Sequence, residues 1–463
     1  MLGRRERRQQ TLFLTCQLAD LVPEDHVLRR VDRVLDLSWL GAEVSALYAA
    51  GQGRPSIDPE VAVRLMLAGF FQGIVYDRKL MREADVNVAI RWFVGYQLGE
   101  TLPDHSSLTR IRQRWGAECF RRIFDKTVAA CMAAGLVSGE TVHVDATLIR
   151  ADVSWDSVVA RHVEQTLEVN ELNELDEPGP GAGRTDDGPR RSQSDPDARV
   201  AKGGRRARGE PAYKQHTAVD DAAGIIVDVA VEAGTAPEGA QLVAQLDRVE
   251  SRTGHAVRRV TADKGYSSAA NYAALEARGV EALIAPERVG RAQGAVPGRR
   301  FKYDEHHDVV RCPRGATLER GSFDGKRWRY RAKTAVCRGC RQRQACLAPS
   351  TSARSVRLLP GHSALVRARR RHGRRDETWR HQMTRHRWQV EGVHGEAKSQ
   401  HGLARAARRR LWNVEIQAYL TAAVINLKRL ARAVGGPPAN GARSFARWLL
   451  RRLTPARIAP CPA

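Results

Sequence analysis

Apolar and polar residues change from a helical to a strand-like pattern at about residue 135. Upstream, the segment EVAVRLMLAGFFQGI places apolar side chains at helical spacing. Asp58 and Pro59 directly precede this segment. Asp58 is placed to be the N-cap of the helix, and Pro59 to be its first residue. The segment LPDHSSLTRIRQRWG repeats this order of a polar cap and a basic helix. We therefore expect residues 1–135 to form a helical N-terminal domain.

Downstream, alternation with period two predicts strands. TVHVDATLI alternates around Asp145, and AYKQHTAVDDAAGIIVDVAVEAG predicts two strands joined by a tight turn at Asp220 to Gly224. The intervening residues 165–210 are polar and rich in proline, glycine and charge, which predicts a disordered insertion.

The next segments alternate between helix and strand. PEGAQLVAQLDRVESRTG is an amphipathic helix, AVRRVTADKGYSS contains a buried strand ending at Asp263, SAANYAALEARG is a helix, and VEALIAP is a strand. The order β, β, β, α, β, α, β predicts an antiparallel meander extended by right-handed parallel crossovers. This is the plan of a ribonuclease H-like mixed sheet, an α/β fold. We expect it to form a second domain over residues 136–435, with a basic, cysteine-rich insertion at 286–380 before the last helices of that domain. A tail of 436–463 follows.

Length and charge narrow the class of partner. A chain of 463 residues favours more than one domain, and a net charge of +24 favours a polyanion, with nucleic acid ahead of an acidic membrane surface. A GC-rich genome would also enrich arginine. No apolar run approaches 18 residues and no signal peptide is evident, so we expect a cytoplasmic, nucleoid-associated protein without membrane contact.

Arg110, Arg112 and Arg114 lie close together on one predicted helix, either as DNA contacts or as a solvated face.

Two aspartates occur where strands disfavour them. Asp145 lies inside an apolar strand, and Asp263 ends another. In the expected sheet the first and fourth strands are neighbours, so the two carboxylates could face each other. Close carboxylates repel unless a cation lies between them, and a hard divalent ion with oxygen ligands meets that need. The alternative is that both aspartates cap turns at strand ends.

A third carboxylate lies in the basic segment RWQVEGVHGEAKSQHG. On a helix, Glu391 shares one face with Arg387 four residues before it, Lys398 seven after it, and His394. Two glycines interrupt the segment, at a cost of about 1 kcal/mol each. They are expected where metal, DNA backbone or a tightly packed sheet approaches the helix. The alternative interpretation of the charges is a surface ion-pair ladder.

Four of the eight cysteines cluster late in the chain: Cys312, Cys337, Cys340 and Cys346. Four thiolates within 35 positions could bind one structural Zn²⁺, and His306 or His307 could replace one thiol. Unligated thiols are the alternative.

Three separated motifs resemble those of bacterial insertion-sequence transposases with a DDE catalytic triad. HVDATLIRAD resembles the first-Asp motif, TADKGYSS the second, and RHRWQVEGVHGEAK the Tyr-x2-Arg-x3-Glu-x6-Lys signature of one large branch. Arg387, Glu391 and Lys398 match its spacing, whereas Thr384 stands where that signature has Tyr. LVPEDHVLRRVDRVLDLSWL, GRPSIDPEVAVRLMLAGF and LPDHSSLTRIRQRWG resemble the helical N-terminal transposase domain. The resemblance extends over nearly the whole chain.

The resemblance implies a metal-dependent endonuclease and strand-transfer enzyme that acts on double-stranded DNA, both transposon ends and target. Asp145, Asp263 and Glu391 would bind two Mg²⁺ (or Mn²⁺) ions for phosphoryl transfer. The expected DNA contacts beside the scissile bond are Arg387, Lys398, Lys264 and His394. A homodimer on DNA is implied. A structure-specific nuclease of the same fold, or a catalytically inactive DNA-binding derivative, remains the alternative.

Overall fold

A computed structural model describes residues 16–49, 56–155, 158–159, 191–202, 208–286, 296, 300–373 and 377–434. Within these ranges the protein is of mixed α/β type, with a helical N-terminal region, an eight-stranded sheet and a separate five-stranded sheet. No helix in this part of the chain is long and apolar enough to cross a membrane.

The expected N-terminal helices are present. They are α1 (Val27–Asp32), α2 (Leu40–Val44), α3 (Pro59–Phe71), α4 (Asp77–Val86), α5 (Val88–Val94) and α6 (His105–Ala133). Asp58 caps α3 by accepting a hydrogen bond from the Glu60 backbone N–H at 2.7 Å, and Pro59 is the first helical residue. Gly116 interrupts α6 with a positive φ of 68°.

The main sheet has the topology that the pattern predicts. Its strands are β1 (Thr141–Arg150), β2 (Val158–Val159), β3 (Arg191–Ser192), β4 (Arg199–Ala201), β5 (Glu210–Asp220), β6 (Ile226–Ala233), β7 (Arg259–Ala262) and β8 (Glu281–Ile284). β5 pairs antiparallel with both β1 and β6, whereas β7 pairs parallel with both β1 and β8. The parallel crossovers contain α7 (Leu242–Thr253) and α8 (Ala269–Ala277).

The prediction of a disordered insertion at 165–210 is wrong for residues 191–202. These residues form β3 and β4, which extend the sheet beyond β5. The buried Asp195 holds them in place, because it accepts hydrogen bonds from the Tyr213 hydroxyl at 2.6 Å and from the Arg410 backbone N–H at 3.1 Å. Residues 160–190 and 203–207, like the 436–463 tail, lie outside the described residues.

The second sheet lies within the cysteine-rich segment and has its own core. Its antiparallel strands are β9 (Lys302–Asp304), β10 (Val309–Arg311), β11 (Thr317–Phe323), β12 (Trp328–Ala332) and β13 (Ser355–Leu358), with α9 (Thr334–Arg338) and α10 (Arg343–Cys346) before the last strand. Val310, Leu318 and Tyr330 are buried at the centre of this sheet.

The remaining helices close the domain. They are α11 (His362–Gly373), α12 (Glu377–His386), a π-helical turn (Arg387–Glu391), α13 (Gly392–Gln400) and α14 (Leu411–Val434). α14 is buried along most of its length and packs between α6 and β6. Its fully buried Asn426 accepts a hydrogen bond from the Ile226 backbone N–H and donates one to the Ile226 carbonyl, each at 2.9 Å. An amide side chain thereby takes the place of a neighbouring strand at the start of β6.

We predict that Asn426→Ala lowers protein stability, because it leaves the buried Ile226 N–H and carbonyl unpaired. Each lost partner costs about 1–3 kcal/mol. The measurement is the midpoint of urea unfolding followed by circular dichroism. Asn413→Ala on the same helix is the control, because that amide bonds only a local carbonyl, at Arg409. Equal shifts for the two variants would contradict the role of Asn426.

Candidate active site

The pairing of β1 with β7 places two aspartates side by side. The last paired positions are Val144 and Ala262, and Asp145 and Asp263 are the next residue in each strand. Asp263 also caps a short 3-10 helix, Lys264–Tyr266, by accepting a hydrogen bond from the Gly265 N–H at 2.6 Å. Partial desolvation raises the pKa of Asp263, and the negative charges of Glu238 and Asp145 raise it further. The expected juxtaposition of these two carboxylates is therefore present in the sheet.

His394 holds Asp145 from the helical side. Its Nδ1 lies 3.5 Å from Asp145 Oδ2, and its Nε2 lies 3.0 Å from the hydroxyl of Thr217, the β5 residue paired with Asp145. Burial alone would raise the pKa of Asp145, but the hydrogen bond and charge of His394 lower it on balance. His394 is itself buried, so the expectation that it contacts DNA is wrong. His394 instead lies in the interior of the protein, where its contacts with Asp145 and Thr217 orient Asp145.

A buried polar layer continues along the same face of the sheet. His143 lies two residues before Asp145, with Nδ1 2.6 Å from the Thr261 hydroxyl and Nε2 2.8 Å from Asp221 Oδ1. Thr261 in turn lies 2.9 Å from His386 Nδ1. Burial lowers the pKa of His386 to about 4, so this histidine is neutral at physiological pH. The alternation in TVHVDATLI could have singled out His143, since it shares the strand face of Asp145.

The segment that carries Glu391 docks onto this layer through a π-helical turn. Val390, Val393 and His394 face inward, whereas Glu391 and Trp388 are exposed. Because His394 is buried and Glu391 is exposed, the two do not share one outer face as expected. The Glu391 side chain makes no hydrogen bond or ion pair with any described residue.

The two glycines beside Glu391 border open space. A Cβ at Gly392 or Gly395 would meet nothing within 4 Å. Tight packing against the sheet therefore does not account for them. The open surface leaves room for another molecule to approach the helix backbone.

The three cations expected beside the aspartates differ in burial and in position. Lys398 is half-buried, and burial lowers its pKa although the Asp145 charge opposes that shift. Lys264 and Arg387 are exposed. Of the three, the structure places Lys398 within electrostatic range of Asp145, and Lys264 follows Asp263 directly in the chain.

The arginines of α6 divide into buried and exposed positions. Arg112 is 3% exposed and pairs with Asp77 on α4, so the expectation of a DNA contact is wrong for this residue. Burial lowers its pKa to about 10. Arg110 and Arg114 are exposed, and the Arg114 guanidinium lies 4.5 Å from the centre of the Tyr48 ring.

A buried hydroxyl group lies near the two aspartates. The Tyr266 hydroxyl is buried without a hydrogen-bond partner in the structure. Burial raises its pKa, and the charges of Asp145, Glu238 and Asp263 raise it further, so the phenol lies close to all three carboxylates. Among the described residues, no three His, Cys, Asp or Glu side chains already stand in position to hold one metal ion. The oxygen atoms of these carboxylates are nevertheless the ligands that a hard divalent cation prefers. Such a cation would relieve the mutual repulsion of the carboxylates.

The four clustered cysteines line one cavity of about 420 Å³ beside the small sheet. Burial raises the pKa of Cys346, as does the proximity of the other three thiols. The Gln342 N–H points at Cys340 Sγ from 3.4 Å. Neither histidine considered as a substitute ligand lines this cavity, and His307 instead bonds Asp304 at 3.0 Å.

Comparison with known proteins gives two family matches. A model described as Transposase domain (DUF772) matches residues 16–114, and one described as Transposase DDE domain matches residues 187–427. The second match spans more than half of the chain; it includes Asp263 and Glu391 and begins after Asp145. Among curated proteins none matches this sequence significantly.

Three solved structures share distant similarity with the chain. A piggyBac transposase synaptic complex with hairpin DNA aligns at 12% identity over 93% of this chain and 82% of that chain, with a TM-score of 0.35. A Mos1 transposase paired-end complex with the left transposon end and a pre-cleavage Mos1 transpososome each align at 11% identity over 53% of this chain and 65% of theirs, with TM-scores of 0.17 and 0.16. The family assignment rests on the two model matches. The chain belongs to the transposase DDE domain family and is a DNA-cleaving, DDE-type transposase.

Proposed function

We propose that Asp145, Asp263 and Glu391 are the carboxylates that hold the divalent ions of this transposase. The observation that supports this most is the β1–β7 register, which puts Asp145 beside Asp263; burial and the charges of Glu238 and Asp145 raise the pKa of Asp263. Glu391 is the best third member because it is exposed on the segment that His394 joins to Asp145, next to open backbone at two glycines. Divalent-metal dependence, generally on Mg²⁺ or Mn²⁺, follows from the family.

The surrounding residues then position DNA for cleavage and strand transfer. Two bound ions would supply an activated water or DNA 3′-hydroxyl and stabilise the leaving oxygen. His394 orients Asp145 by bonding both it and Thr217. The phosphates of the transposon end are assigned to Lys398, Arg387 and Lys264, because a half-buried lysine and exposed cations border the cleft. No covalent protein–DNA intermediate is needed.

The rest of the chain is assigned to DNA binding and assembly. Residues 1–135 would bind the element ends, with Arg110 and Arg114 as exposed contacts. Residues 136–435 would form a ribonuclease H-like catalytic domain that includes the cysteine-rich segment. The partners are double-stranded transposon ends and target DNA, bound by a homodimer in the bacterial nucleoid.

The cysteine cavity is assigned to one structural Zn²⁺. The thiols of Cys312, Cys337, Cys340 and Cys346 line this cavity, and drawn together around an ion they would be a complete ligand set for a closed tetrahedral site. The backbone N–H directed at Cys340 Sγ is a suitable outer-sphere donor.

We predict that Asp145→Asn, Asp263→Asn and Glu391→Gln each abolish cleavage of transposon-end DNA in Mg²⁺. An amide is nearly isosteric but is a poor ligand for a hard dication. DNA binding should persist, because it depends on the basic surface, and gel-shift and cleavage assays on the same samples separate the two effects. Asp247→Asn, in an exposed ion pair away from the cleft, is the control. A Glu391→Gln protein that still cuts and joins ends would refute the assignment of Glu391.

We predict that Arg387→Ala and Lys398→Ala weaken end binding and reduce its dependence on salt, without changing the fold. Each lost phosphate contact should lower the slope of log K against log salt concentration by about 1. Arg258→Ala is the control, since this exposed arginine lies just before β7, at the opposite end of that strand from Asp263. Slopes equal to that of the parent for both variants would remove the phosphate role.

We predict that purified protein contains one equivalent of zinc and that Cys337→Ser loses it. Removing the metal should destabilise residues 305–350, which would become susceptible to proteolysis. Cys16→Ser is the matched control because Cys16 is exposed and remote from the cluster. Parent protein without zinc, in which all four clustered thiols react freely, would disprove the site.

A further inference from the structure

Two short helices pack backbone to backbone beside the aspartates. The 3-10 helix Glu238–Gln241, which precedes α7, lies against the 3-10 helix Lys264–Tyr266. A Cβ at Gly239 would lie 3.3 Å from the Gly265 carbonyl oxygen, so the two turns meet without intervening side chains. Asn271 joins them, because its amide donates to the Gly239 carbonyl at 2.9 Å and to the Tyr266 carbonyl at 3.0 Å.

This packing places the Glu238 carboxylate over Gly265. A Cβ at Gly265 would overlap Glu238 Oε2 and would lie 3.0 Å from Asp263 Oδ1. The two carboxylates therefore approach the same point from different elements. A side chain at position 265 would displace the Glu238 carboxylate from this point.

The buried Tyr266 hydroxyl is independent evidence for a ligand at this position. It has no hydrogen-bond partner and lies close to the carboxylates of Asp145, Glu238 and Asp263. Buried hydroxyls are normally paired, so an unpaired hydroxyl near these carboxylates marks a place where another group belongs.

The ion pair of Glu238 is loose. Lys214 Nζ lies 3.4 Å from Glu238 Oε1, beyond good hydrogen-bond distance, and donates instead to the Ala236 carbonyl at 2.7 Å. Lys202 and Lys398 line the same pocket as Glu238, but of these three lysines Lys214 is the one within ion-pair distance of its carboxylate. A simple Glu238–Lys214 ion pair would leave the repulsion between Glu238 and Asp263 in place.

We propose that Glu238 is an additional carboxylate ligand of the divalent cation held by Asp145 and Asp263, an inference that rests on the metal site assigned above. Glu238 lies at the start of the crossover between β6 and β7, so it approaches the cation from a different element than either aspartate or Glu391. Lys214 and His394 neutralise the outer carboxylates while the cation is absent. On binding, the cation takes over the charge that these two residues screen.

The test is Mn²⁺ binding to the full-length, metal-free protein, measured by electron paramagnetic resonance titration without DNA. Glu238→Gln should weaken Mn²⁺ binding at least about tenfold, in the range seen when groups around a metal site are removed. Lys214→Met should leave the affinity unchanged or increase it, because it removes a competing cation. Glu232→Gln is the matched control for long-range charge, since this nearby carboxylate bonds Gln241 and can do so as an amide.

The reference variants separate failure of this inference from failure of the assigned site. If Asp145→Asn and Asp263→Asn weaken Mn²⁺ binding but Glu238→Gln behaves like Glu232→Gln, the role of Glu238 is refuted and the aspartate site stands. If neither aspartate variant weakens binding, the site itself is wrong and the inference falls with it. Equal thermal midpoints of the metal-free variants would show that loss of affinity is not loss of folding.

Discussion

The parallel pairing of β1 with β7 is the constraint on which the site depends. Four residue pairs, ending at Val144 and Ala262, fix the register that puts Asp145 next to Asp263. Parallel strands need a crossover connection, and this one begins with the turn that carries Glu238 and continues as α7. A shift of one residue would turn either aspartate to the other face of the sheet. The pairing thus sets the positions of both aspartates at once.

The face of the sheet that bears Asp145 is polar, and its polar groups determine how the helical segment with His386, Glu391 and His394 packs on it. His143, Thr261 and Thr217 would be costly to bury alone, but His143 bonds Thr261, and His386 and His394 bond Thr261 and Thr217 from the helices. Burial lowers the pKa values of His143 and His386, which agrees with neutral rings used as hydrogen-bonding groups. Val390 and Val393 add apolar contact between these polar pairs. The helix that carries Glu391 is therefore oriented by specific hydrogen bonds, which determine its register more closely than apolar packing would.

Helix α14 connects the main sheet to the N-terminal helices. It packs against both α6 and β6, and its Asn426 satisfies the backbone of Ile226 where β6 begins. The same helix therefore supports the outer strand and joins the two regions of the chain. Arg252 adds a polar link, since it pairs with Asp228 on β6 and with Asp125 on α6.

Local pattern alone determined the elements of this protein, because hydrophobic period, caps and turn residues act over a few positions. Asp58 with Pro59 predicted the start of α3, and the alternation around Asp145 predicted β1, while strand order predicted the neighbouring aspartates. Residues 191–202 looked disordered from composition, and only the distant partners of Asp195, Tyr213 and Arg410, order them. Arg112 and His394 looked like surface cations because sequence does not show that Asp77 and Asp145 face them. The positions of Glu238 and Tyr266 likewise depend on two turns meeting through glycine, a long-range contact that no local pattern encodes.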